Sequence, residues 1–108
     1  MSMGYRFMRV MVLFDLPVDT PADRREYTRF RKFLIRSGFI MMQESVYTKI
    51  VLNPTAAKAV MEKVKGHSPV CGLIQMLVIT EKQFANIELV IGDKQREIID
   101  TDERLVVL

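Results

Sequence analysis

Apolar and polar positions alternate along the chain in two distinct rhythms, and the switches between them mark the elements. The run Tyr5 to Phe14 (YRFMRVMVLF) is dense in β-branched and aromatic residues and stops at Asp15-Leu16-Pro17, which predicts a largely buried first strand with Asp15 projecting from its end. Thr20 then offers an N-cap oxygen, Pro21 suits the first helical position, and Asp23 places negative charge in the first turn. A helix is predicted from there to about Ser37, with Gly38 free to turn left-handed and stop it. On this helix Tyr27, Phe30 and Leu34 form the apolar stripe, while Arg25, Arg29, Lys32 and Arg36 share the opposite side at about 100° per residue.

Phe39 to Leu52 is too long for one average strand. Its polar step at Gln43-Glu44-Ser45 predicts a bulge or bend, giving two short strands or one bent one. Asn53-Pro54 opens a second helix whose apolar face is Ala57, Val60, Met61 and Val64, up to Gly66. Gly72 to Thr80 is a further buried strand. The order is the split βαβ pattern of an α+β, ferredoxin-like βαββαβ sandwich, with both helices on one face of an antiparallel sheet. Ile87, Leu89 and Ile91 alternate as an added edge strand would, and the apolar end Leu105, Val106, Val107 and Leu108 predicts a segment that pairs with another chain. A homodimer is therefore expected in which C-terminal segments are exchanged or shared to complete the partner's sheet.

The 108 residues suit one domain, residues 1–108, with 84–108 as a C-terminal extension. Hydrophobic residues make up 49% and charged residues 27%, the composition of a packed globule rather than a disordered tail. One cysteine, Cys71, excludes an intramolecular disulfide and Cys-rich zinc patterns. The N-terminal stretch is interrupted by Arg6 and Arg9 and lacks the length of a membrane span and the cleavage pattern of a signal peptide, so no membrane association and a cytoplasmic location are expected.

A net charge of +3 decides little, so any nucleic-acid reading rests on where the charge clusters. Between residues 24 and 36 six basic residues (Arg24, Arg25, Arg29, Arg31, Lys32, Arg36) face one acid, Glu26. That imbalance exceeds what solubility asks for, and Arg24, Arg25, Arg29, Lys32 and Arg36 are the expected phosphate contacts; a purely solvated face is the bland alternative. Asp15 has a bland reading too, since an Asp before Leu-Pro often just closes a strand. His67, the only histidine, is expected in an exposed loop, and the Met41-Met42 pair as core filling.

A strand ending in Asp15, an Arg-rich helix ending at Gly38-Phe39, and the element Gln43-Glu44-Ser45-Val46-Tyr47 follow one another in this order. Together they resemble the small CRISPR-associated adaptation protein family, nearest to its type II branch, over Met8 to about Thr80. The tail from Phe84 is similar to that family's variable extension. The resemblance implies a homodimeric scaffold of the spacer-acquisition complex that bridges two dimers of the CRISPR integrase in a heterohexamer and lies along captured double-stranded DNA. It also implies an alternative: metal-dependent cleavage of RNA or DNA, with Asp15 of both subunits as the catalytic and metal-binding residue around Mg2+. A third class, a small regulatory or oligomerisation module, is open because this fold hosts unrelated functions.

Overall fold

The structure is a computed structural model, described here for residues 7–92. Seven elements follow in order: β1 (Met8–Asp15), α1 (Pro21–Arg36), β2 (Ile40–Gln43), β3 (Val46–Val51), α2 (Pro54–Lys65), β4 (Leu73–Thr80) and α3 (Glu81–Ala85). The strands form one sheet in the order β2-β3-β1-β4 with every neighbouring pair antiparallel. This is the ferredoxin-like arrangement the chain's patterning predicts.

Local chemistry explains the boundaries. Thr20 and Asp23 form a reciprocal capping box at the start of α1, Pro21 follows the cap, and the Ser37 and Gly38 amides bond back into the last turn. Gly38 leaves the helix at φ 92°, a conformation that an L side chain resists. Asn53 caps α2 through a 2.8 Å bond from the Ala56 amide.

Strand alternation sets the two faces of the sheet. Val10, Val12 and Phe14 of β1 are buried under the helices, level with Lys49, Tyr47 and Ser45 of the β3 side and with Val78, Met76 and Ile74 of β4. Phe30, Phe33 and Leu34 of α1 and Ala57 and Val64 of α2 close this core. Phe33 lies outside the expected stripe because the loop after α2 covers it: the His67 ring stacks on Phe33 with centroids 4.0 Å apart. The His67 Nδ1 lies 3.0 Å from the Lys63 carbonyl, which places the ring proton on that nitrogen.

The opposite face stays open, and Ile40, Ile50, Leu73 and Leu77 are exposed on it. At one end α3 partly covers it: Arg9 pairs with Glu81, donates to Thr48 Oγ1 at 3.3 Å, and lies over the Phe84 ring at 3.8 Å.

Three expectations change. The strand expected to be buried between Gly72 and Thr80 is β4, which has no fully buried residue because it lies at the edge of the sheet with one neighbour. Met41 and Met42 are exposed rather than core, because β2 is an edge strand with one neighbour. Ile87 to Ile91 form no strand among the described residues. The Thr80–Gln83 capping box turns the chain into α3 at the end of β4, carrying this segment out of the sheet. Residues Leu105 to Leu108 lie outside the described residues, as does the expected exchange they would make.

Candidate nucleic-acid interface and strand-terminal carboxylate

Asp15 is exposed at the end of β1, on a base held from three sides. Behind it, Phe14 meets Phe30 edge-on at 5.2 Å and Tyr27 at 5.9 Å, and stacks on Tyr47 at 5.7 Å. On the β3 side the Phe14 amide donates to the Ser45 carbonyl at 3.0 Å. On the β4 side Asp15 is in register with Leu73, and Gly72, at φ 106°, approaches so closely that a Cβ there would lie 2.9 Å from the Asp15 carbonyl oxygen. The carboxylate itself makes no hydrogen bond or ion pair among the described residues, and no group of three or more His, Cys, Asp or Glu among them could hold a metal ion. One chain therefore offers magnesium a single carboxylate on a rigid mount, one part of the donor set such an ion uses.

The basic residues of α1 divide by what they already touch. Arg24 donates from Nη1 to the Val18 and Asp19 carbonyls at 3.0 and 3.3 Å, tying down the loop between Asp15 and the helix. Arg29 is engaged by both Glu26 carboxylate oxygens at 3.1 and 3.2 Å and donates to the His67 carbonyl, so its charge is locally answered. Arg25, Lys32 and Arg36 are exposed and meet no carboxylate among the described residues. Of the five expected phosphate contacts, these three retain an unopposed charge on one helical face, and Arg24 and Arg29 serve the fold as well.

One cation absent from that set has the most specific environment. Arg31 Nε donates to the hydroxyl of Tyr47 at 3.1 Å, and Tyr47 is 1% exposed. The sequence held half of this signal, the Arg-rich run and the Tyr47 element, but nothing in spacing alone joins residues on α1 and β3.

A family model described as CRISPR associated protein Cas2 matches residues 8–87. The chain belongs to the Cas2 family. It is 52% identical over 101 residues to a Treponema denticola protein named CRISPR-associated endoribonuclease Cas2, spanning 94% of this chain and 100% of that one. Proteins of the same name from Streptococcus mutans serotype c (strain UA159) and Ligilactobacillus salivarius are 45% and 41% identical, each over 94% of this chain and over 93% and 100% of their own lengths. The Cas2 match runs from the first residue of β1 past the end of α3, so Asp15 and the cationic face of α1 both lie inside it. No helix among the described residues of this Cas2 chain is long and apolar enough to cross a membrane.

Proposed function

We propose that this Cas2 chain acts in CRISPR adaptation as a homodimeric scaffold that grips duplex DNA through backbone phosphates while the integrase performs the chemistry. The unopposed Arg25, Lys32 and Arg36 face of α1 carries this reading. Cations on a rigid helix match the regular spacing of phosphates and fix register without reading bases. The second copy belongs on the open sheet face, which exposes the large apolar side chains Ile40, Ile50, Leu73 and Leu77. A dimer built there doubles the cationic face.

Two measurements test this. Sedimentation of the wild type should give a dimer, and Leu77→Glu, which puts a charge into the proposed interface, should give a folded monomer; a wild-type monomer at micromolar concentration removes the dimer from the account. Duplex affinity should fall linearly on a log–log plot against salt, each neutralised phosphate adding about 0.9 to the slope; a flat plot removes the phosphate grip.

A second reading has a specific observation behind it. The relatives are named endoribonucleases, and Asp15 stands exposed on a braced strand end. In this reading the Asp15 carboxylates of two subunits hold a divalent cation of the magnesium type, and the chain's own part is to orient that ligand pair. Such an ion supplies charge stabilisation to the phosphoryl group and a more acidic bound water. No described side chain hydrogen-bonds or ion-pairs with the Asp15 carboxylate, and no group of three or more His, Cys, Asp or Glu gathers among the described residues, which is why the scaffold reading comes first.

A further inference from the structure

Tyr47 occupies the centre of the helix-covered sheet face, in register with Val12 on one side and Met41 on the other, and its ring stacks on Phe14. A ring so enclosed holds its hydroxyl at one place, beneath the flank of α1. There it receives the Nε–H of Arg31. The bond uses one of the five guanidinium N–H groups and leaves the two Nη nitrogens, the end of the fork that matches two oxygens of one phosphate. Arg31 is exposed and pairs with no carboxylate among the described residues.

The contrast with its neighbours decides the reading. Arg24 gives Nη1 to the Val18 and Asp19 carbonyls, which takes up one of its two Nη nitrogens, and Arg29 is answered by Glu26. Arg25, Lys32 and Arg36 keep their charge but have no partner among the described residues to hold them in place, so each must lose rotamer freedom when it meets a ligand. Among these cations only Arg31 combines a charge that no described carboxylate answers with an anchor that leaves both Nη nitrogens free. A stability role is a weak explanation for the pair: a single hydrogen bond to an exposed arginine adds little, whereas a buried tyrosine in place of phenylalanine adds a hydroxyl whose recorded use is to orient that guanidinium.

We propose that Arg31 is a phosphate-binding residue for duplex DNA and that Tyr47 is its positioning residue. The inference rests on the duplex-binding reading above and extends it to the flank of α1 that faces β3. Its consequence is a bidentate, pre-oriented contact beside the looser Arg25, Lys32 and Arg36 face.

The test is fluorescence anisotropy of a labelled DNA duplex across a salt series, with wild type, Arg31→Gln, Tyr47→Phe, the double variant and Lys32→Gln, each first checked for a cooperative thermal transition. Arg31→Gln should weaken binding about tenfold at low salt and reduce the salt slope by about 0.9. Tyr47→Phe keeps the ring and every charge, yet should weaken binding roughly threefold through loss of one orienting hydrogen bond. The double variant should bind no more weakly than Arg31→Gln alone, a non-additivity that a merely structural tyrosine would not give. If Lys32→Gln lowers affinity while Arg31→Gln and Tyr47→Phe bind as wild type does, the Arg31 site is wrong and the duplex reading stands. Additive losses in the double variant remove the positioning role, and a wild type with no salt-sensitive binding overturns both.

Discussion

Gly72→Ala tests how rigidly the end of β1 is held. At φ 106° the backbone of residue 72 is in a region that disfavours any Cβ, and the atom would sit 2.6 Å from Leu16 Cδ2, 2.9 Å from the Asp15 carbonyl oxygen and 3.2 Å from Leu16 Cα. The first contact is with a side chain, but Leu16 is 8% exposed and has little room to swing away. The second is with backbone that Asp15 shares with the β4 ladder, so relief requires moving the strand end or the loop before Leu73. Strain at such a φ costs of order 1–3 kcal/mol and overpacking typically another 1–3, giving an expected loss of about 3 kcal/mol. In a domain of this size that lowers the thermal midpoint by roughly 12–24 °C. The assay is urea unfolding followed by circular dichroism, with an unchanged m-value showing that the loss lies in the native state. A variant within about 0.5 kcal/mol of wild type would refute the argument, because it would mean that the Asp15 segment yields freely and is not a rigid mount.

Two other substitutions probe the elements that flank the site. Thr20→Ala removes one half of the capping box at the start of α1 and should cost about 1 kcal/mol in urea unfolding; no change would show that the cap contributes nothing to the cationic helix. Ser45 sits at φ 68° in the β2–β3 turn, where a non-glycine residue carries about 1–2 kcal/mol of strain, so Ser45→Gly should raise stability by roughly 0.5–1 kcal/mol after the added freedom of the unfolded chain. A destabilised glycine variant would mean that the Ser45 side chain makes a contact worth more than the strain.

Where short-range chemistry decides, the sequence was readable. Thr20-Pro21 and Asn53-Pro54 announce both long helices by their caps, and the Gln43-Glu44-Ser45 step marks the turn that divides Phe39 to Leu52 into two strands. Asp15 could be placed at a strand end because Leu16-Pro17 cannot continue the ladder. What stayed hidden depends on contacts between distant segments. Gly72 reads as a turn residue until β4 brings it against Asp15, and Arg31 reads as one cation among six until β3 delivers the Tyr47 hydroxyl beneath it. Helical spacing grouped Arg29 with Arg25, Lys32 and Arg36, but spacing does not report that Glu26, one turn earlier, answers Arg29 alone. Met41 and Met42 misled because their apolar character says nothing about whether a strand lies at the edge or the centre of a sheet. The alternation of Ile87, Leu89 and Ile91 describes a segment suited to pairing, and no strand among the described residues takes it up.

The scaffold account is tested most directly by in vitro integration of a short DNA duplex into a CRISPR repeat by the cognate integrase, comparing no added chain, wild type, Asp15→Ala and the triple variant Arg25→Gln, Lys32→Gln, Arg36→Gln. The account expects wild type and Asp15→Ala to restore integration alike and the triple variant to lose most of it as salt rises. Loss of integration in a folded Asp15→Ala variant, or full activity in the triple variant, would contradict it.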